Sequence, residues 1–289
     1  MATKKKTTLA ALAAKKQAGQ KIVVLTCYDY PTAQIQAEAG VDAILVGDSY
    51  GQVVLGYDST LPVTVDQMIT ITAAVRRGAP DVFLIGDMPY LSYQVSHEQA
   101  IRNAGRFMAE AGCDCVKVEV DQRLADTVAA MSRAGIPVMA HLGLRPQSVH
   151  QLGGYRIQGR TAEAAADLAR QAQALEEAGA CALLLEAVPP EPARLIAEQA
   201  RVIVIGCGAG PHVDGHVVVV HDILGWLPGA PPRFAPRYTS VRRQMMRAFK
   251  RYVADVAGGQ YPAPEHCYPM SEGEADKLER TSRPESPDQ

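Results

Sequence analysis

Ala43–Ser49 reads AILVGDS: a short aliphatic run that closes on a charged side chain, Asp48. The same arrangement recurs along the chain. Phe83–Pro89 reads FLIGDMP and carries Asp87, Cys115–Glu119 reads CVKVE and carries Lys117 and Glu119, Pro137–Leu142 reads PVMAHL and carries His141, and Cys181–Val188 reads CALLLEAV and carries Glu186. Near-continuous aliphatic runs of this length suit strands buried on both faces, as in parallel sheets. Helical patterns lie between them at Val65–Arg77, Ser96–Ala111, Gln122–Ala134 and Ala162–Ala178. Gly78, Gly112, Gly135 and Gly179 close these patterns, as left-handed helix termini require. With Ile22–Asp29, Val202–Gly206 and Val217–Asp222 the strand candidates number about eight. Strand–helix repetition on this scale predicts an α/β fold, a (β/α)8 TIM barrel with an N-terminal helix. A doubly wound open sheet remains the alternative, since local pattern does not report closure. In a barrel, the residues at the strand C-termini converge on one rim, where active sites form.

The chain has 289 residues, 47% hydrophobic and 21% charged, with a net charge of −2. The reading is one barrel domain over 1–264 and a disordered, charged tail over 265–289. The near-neutral balance gives no basic footprint for nucleic acid, and the apolar runs are too short to span a membrane. The opening MATKKKTTLAALAAKKQAGQK reads as an amphipathic helix rather than a leader, because Lys15 and Lys16 interrupt its apolar part. The 6 cysteines are scattered and mostly sit in apolar segments, which points to reduced thiols and a cytoplasmic protein.

Asp48, Asp87 and Glu119 would end neighbouring strands, roughly 4.8 Å apart laterally. Such carboxylates repel one another unless a cation lies between them, and an all-oxygen donor set favours Mg²⁺ or another hard divalent ion. Helix capping by each aspartate is the competing explanation. Lys117 and Glu119 share a strand face, so the lysine can serve an oxyanion or simply pair with the glutamate. His141 could donate to a substrate oxygen. Glu186 follows an apolar run, where burial raises a carboxylate pKa toward the range of a general base. Gly206–Gly210, GCGAG, fits either a phosphate-binding loop or a close-packed turn, and Gly143–Arg160 is long enough to cover the site.

The strings TCYDYPTA, LVGDSYGQVVLGYDSTLPVT, AAVRRGAP, IGDMPY, VKVE, AHLGLRPQSV, GGYRIQGR, LLLEAVP and GCGAG, in this order from about Thr8 to Pro264, resemble the ketopantoate hydroxymethyltransferase family. The resemblance implies a (β/α)8 barrel in a homo-oligomer, described as a decamer. It implies transfer of the one-carbon unit of the co-substrate 5,10-methylenetetrahydrofolate to 3-methyl-2-oxobutanoate, giving 2-dehydropantoate through a Mg²⁺-stabilised enolate. By motif, Asp48 and Asp87 become metal ligands, with Glu119 completing the set. Ser49 and Lys117, with Asp48 and Asp87, would hold the oxo acid. His141 would lie near the transferred carbon, and Glu186 would be the base. The chain departs from the family pattern at Cys207, at Val120-Asp121 after the VKVE string, and at Arg201-Val202-Ile203, where a proline is usual. A Mg²⁺-dependent carbon–carbon bond enzyme of the phosphoenolpyruvate mutase type would share the metal logic, but its KKCGH-like cysteine motif is missing. A non-catalytic barrel would have no use for so many convergent ionisable groups.

Overall fold

The computed structural model describes residues 6–282. Eight parallel strands close into a barrel in sequence order. They are β1 (Ile22–Thr26), β2 (Ala43–Val46), β3 (Phe83–Asp87), β4 (Cys115–Glu119), β5 (Val138–Gly143), β6 (Ala182–Glu186), β7 (Ile203–Cys207) and β8 (Gly215–Val218). The predicted helices are present at Val65–Gly78, His97–Ala109, Ala125–Arg133 and Ala162–Glu177. No helix among the described residues is long and apolar enough to cross a membrane.

Alternation along each strand sorts the aliphatic side chains into two cores. Val24, Leu45, Phe83, Ile85, Met139, Leu184 and Ile205 point inward and pack as one buried cluster. Ile44, Leu84, Val116, Leu183 and Val204 point outward and pack under Met68, Phe107, Met131, Leu175 and Ile196 of the helices. Each such aliphatic side chain contributes roughly 1.5–3 kcal/mol on full burial, which favours apolar residues on both faces of the buried strands β2 to β7, whereas β1 and β8 leave Val23 and His216 exposed on their outer faces. The N-terminal helix Leu9–Gln17 closes the floor. Thr8 caps it by accepting from the Ala11 N–H, Leu12 enters the inner core, and Lys15 and Lys16 pin its far end. Lys15 pairs with Asp42 at 2.5 Å, and Lys16 with Asp214 at 2.9 Å and with the carbonyls of Ala200 and Val202.

Every strand but β4 differs from expectation in at least one boundary, and two of the differences have a visible cause. β1 ends at Thr26 because Asp29 turns to cap the next helix, accepting from the Thr32 N–H at 2.7 Å. β8 spans Gly215–Val218 instead of Val217–Asp222, and Val220–Leu224 is helical. The valine run 217–220 suits either state. The Val220 N–H is drawn off the ladder by Thr26 Oγ1 at 2.9 Å, which starts the helix.

The chain divides into compact units Met1–Thr239 and Ser240–Gln289, ahead of the expected boundary at 264. The second unit holds a helix at Val241–Ala257 and another at Glu274–Thr281, within the stretch read as a tail. Lys277 reaches Glu274 at 2.7 Å across one turn, a local pair of the kind that supports a helix in so polar a segment. Residues 283–289 of the expected tail lie outside the described residues.

Closure depends on Gly215. A Cβ there would stand 2.3 Å from the carbonyl oxygen of Ile22, its partner across the β1–β8 seam. Gly215→Ala is therefore expected to destabilise the protein by about 1–3 kcal/mol, as overpacking generally does. Urea denaturation checks this; an unchanged midpoint would show that the seam can open without cost.

Candidate active site

The inward register of the strands continues to their C-terminal ends. Asp87 pairs in register with Lys117, Glu119 with His141, and Gly143 with Glu186. The alternation that builds the inner core therefore delivers Asp87, Lys117, Glu119, His141 and Glu186 to one place. They line a cavity of about 530 Å³ at the barrel mouth, together with Asp48 and Ser49 from the turn after β2. All the residues singled out from the sequence are thus brought together. The segment Gly143–Arg160 also behaves as expected, with Leu144, Pro146, Tyr155 and Ile157 forming part of the wall.

Lys117 stands at the centre. Its Nζ lies 2.8 Å from Asp87 Oδ1, 3.9 Å from Glu119 Oε1 and 3.2 Å from His141 Nδ1. Burial disfavours the ammonium, but Asp87, Glu119 and Asp48 outweigh burial and raise its pKa, so it stays charged. A charged lysine can only donate, so His141 Nδ1 accepts and the ring proton sits on Nε2. That nitrogen faces Glu186 Oε2 at 3.4 Å. Burial, then Lys117 and Arg145, push the His141 pKa well below its usual value, which keeps the imidazole neutral.

The carboxylates are under strain of the opposite kind. Burial raises Asp87 to about 7 against the pull of Lys117, and it raises Glu119 well above the ordinary range. Glu186 is pushed up to about 7, again by burial first, with Asp48 and Asp87 adding to it. Immediately after Glu186 the backbone turns through a positive φ of 48° at Ala187, a conformation that costs a non-glycine residue of order 1–3 kcal/mol. The Ala187 N–H donates to the Cys207 carbonyl at 2.9 Å, which holds the turn in place.

Fit to a divalent cation can be judged from the donor set. Asp48, Asp87 and Glu119 are all buried, and Glu119 Oε1 has no hydrogen-bond partner. A buried carboxylate oxygen without a hydrogen-bond partner, beside two further buried carboxylates, is a donor set that a divalent cation would satisfy. Among the described residues, no group of three or more His, Cys, Asp or Glu side chains forms a closed ligand cluster. The donors present, all hard oxygens, nevertheless suit Mg²⁺.

Sequence reading missed the groups that hold this floor in place. Gln147 is buried and donates through Nε2 to Asp48 Oδ2 at 2.9 Å and to the Met88 carbonyl at 3.0 Å. Tyr93, fully buried, donates to Gln147 Oε1 at 2.7 Å and accepts from the Glu119 N–H at 3.0 Å. Tyr28 shares a 2.8 Å hydrogen bond with Ser49 Oγ. The string AHLGLRPQSV contained Gln147, but a glutamine in a loop carries no chemical signature of its own. The GCGAG segment resolves as close packing. Gly208 has a φ of 69°, and a Cβ there would strike the Phe234 ring at 2.6 Å.

A family model for ketopantoate hydroxymethyltransferase matches residues 6–264. A 3-methyl-2-oxobutanoate hydroxymethyltransferase of Geobacillus kaustophilus is 52% identical over 259 residues, covering 90% of this chain and 93% of the relative. Another, from Syntrophomonas wolfei, is 48% identical over 271 residues, covering 94% and 98%. Among solved structures, a phosphonopyruvate hydrolase in complex with oxalate and Mg²⁺ superposes with a TM-score of 0.60 at 14% identity, covering 94% of this chain and 96% of its own. A phosphoenolpyruvate phosphomutase from Streptomyces platensis also gives 0.60 at 14% identity, covering 95% and 98%. At such identities the structural likeness speaks for the barrel alone. The match over nearly the whole length and the near-half identity make this chain a member of the ketopantoate hydroxymethyltransferase family.

Proposed function

We propose that this enzyme hydroxymethylates 3-methyl-2-oxobutanoate, taking the one-carbon unit from 5,10-methylenetetrahydrofolate and giving 2-dehydropantoate and tetrahydrofolate. The observation that carries the reading is the convergence of Glu186, His141 and Lys117 on one cavity in a chain of this family. The product's new hydroxyl oxygen comes from water, so one water is consumed for each carbon transferred.

Glu186 is the base. Its raised pKa means that near neutrality it can take the C3 proton of the oxo acid and give it up again. The negative charge left on the substrate spreads onto its 2-oxo oxygen. Lys117, held charged by its carboxylate neighbours, supplies a counter-charge there that needs no reorganisation during the reaction. A divalent cation, Mg²⁺ in this reading, would be held by Asp48, Asp87 and Glu119 and would polarise the oxo group. The one-carbon unit arrives bound to nitrogen and gains its oxygen only when water adds to it and tetrahydrofolate leaves as the free amine. Neutral His141, with its proton on Nε2, can donate a hydrogen bond to that oxygen as the C3 carbon of the oxo acid bonds to the one-carbon unit. Ser49, fixed by Tyr28, is placed to hold the substrate carboxylate. Leu144, Ile157, Leu184 and Phe234 wall the cavity with apolar surface that keeps bulk water from the enolate.

Assembly into a homo-oligomer belongs to the same reading. In its support, Met246, Phe249, Tyr252 and Val253 leave a row of apolar side chains exposed on the helix Val241–Ala257.

The direct test follows the C3 proton of 3-methyl-2-oxobutanoate by NMR in D₂O, with and without Mg²⁺ and without folate. Metal-dependent loss of that signal is expected; bound oxo acid with no exchange would remove the enolate step. Glu186→Gln should retain oxo acid binding and lose exchange by about 10²–10⁴-fold, the usual contribution of a general base. Exchange at the wild-type rate in that variant would move the base elsewhere. The pH profile has a definite sign. Glu186 is active only when ionised, so exchange should fall as pH drops through about 7. Asp87→Ala should lose Mg²⁺ affinity and activity together, and an unaltered calorimetric titration would end its role as a ligand.

A further inference from the structure

Each carboxylate on the cavity floor is tied through one oxygen by an N–H group, which leaves its other oxygen aimed. Asp87 Oδ2 accepts from the Asp48 backbone N–H at 2.9 Å. The other two ties come from a single residue. Asp48 Oδ2 accepts from Gln147 Nε2 at 2.9 Å, and Glu119 Oε2 accepts from the Gln147 backbone N–H at 2.8 Å. The orientation of the Gln147 amide follows from its neighbours. Asp48 Oδ2 and the Met88 carbonyl can only accept, so the nitrogen must face them and the oxygen must face the Tyr93 hydroxyl. The residue is itself locked in place: it is 5% exposed and sits in the short turn Pro146–Ser148, where Pro146 restricts the backbone.

We infer that Gln147 is a positioning residue that sets the aim of the Asp48 and Glu119 carboxylates, and through them the affinity of the floor for a divalent cation. The inference rests on the reading of Asp48, Asp87 and Glu119 as metal ligands. A ligand carboxylate free to rotate must be ordered when the ion binds, and its rotation also lets it turn toward Lys117. A carboxylate already pinned through one oxygen avoids both costs. Gln147 joins the loop after β5 to the ends of β2, β3 and β4 through these bonds, so a single residue, through its side chain and its backbone N–H, holds donors from separate strands.

The test uses the full-length protein, metal-free, titrated with Mn²⁺, with the free ion read by electron paramagnetic resonance. Gln147→Met keeps the side-chain length and the backbone tie to Glu119 but removes both side-chain donors. Its Kd for Mn²⁺ should rise about 10- to 100-fold, the usual effect of losing a group that orients a metal ligand. The melting temperature of the metal-free protein should stay near that of the wild type. Gln147→Asn keeps the amide one methylene short, and a smaller rise is expected. Wild-type affinity in Gln147→Met would overturn the inference, as would wild-type affinity in Gln147→Asn should the first variant not fold. A rise in Kd accompanied by an equal loss of metal-free stability would also overturn it, by assigning Gln147 to structural support. If the wild type itself binds no Mn²⁺, the metal reading fails first and this inference falls with it, which is a different result from a variant that binds as the wild type does.

Discussion

Buried negative charge is the constraint on which this molecule turns. Asp48, Asp87, Glu119 and Glu186 approach one cavity, and the first three are almost wholly removed from solvent. Taken alone, such a group would take up protons and lose its charge. Lys117 opposes that for its nearest neighbour: at 2.8 Å from Asp87 the attraction is roughly 6 kcal/mol for an effective dielectric of about 20, yet burial still raises the Asp87 pKa to about 7. One lysine cannot balance every carboxylate. The remaining excess is what leaves the site receptive to a further cation and what keeps Glu186 poised near neutrality.

The barrel meets this constraint with geometry that costs little elsewhere. Alternation on β3 to β6 sends apolar residues such as Ile85, Cys115, Met139 and Leu184 inward at the start of each strand and ionisable residues inward toward its end. The aliphatic part stabilises the fold, and the charged part is carried on backbone already fixed by the ladder. Strain is confined to points just beyond the strands, such as the positive φ at Ala187. Side chains from the connecting segments then complete the work, with Tyr93 and Gln147 satisfying groups that the strands leave open.

Much of this was legible from the residues alone, for a physical reason. A strand buried on both faces must be aliphatic, so an Asp, Lys, His or Glu at its end stands out, and Asp48, Asp87, Lys117, Glu119, His141 and Glu186 could each be named. Two kinds of feature were hidden. The boundary of β8 could not be read from a valine run that satisfies strand and helix alike; it was set by a hydroxyl on Thr26, nearly two hundred residues earlier. Gln147, Tyr93 and Tyr28 could not be read because their roles depend on which strand ends the fold brings beside them. Their side chains are common in loops and ordinary in hydrogen bonding, and only long-range contacts make them specific. Within the stretch read as a tail, the helix Glu274–Thr281 was hidden for a related reason, since local ion pairs such as Lys277–Glu274 can support a helix that hydrophobic periodicity does not announce.

The inner core, with Leu12 of the helix Leu9–Gln17 seated in it, fills the barrel beneath the cavity. In the proposed reaction, whatever reacts at the bottom of the cavity would enter through the mouth that the later reactant then occupies. A small oxo acid resting on Lys117 and the carboxylates would be sealed beneath any larger molecule that followed it. In the proposed reaction, traffic would then be last in, first out: the smaller partner would arrive before the carrier of the one-carbon unit and depart after it. On that reading, reaction order would follow from the packed core beneath the cavity, some distance from any reacting atom.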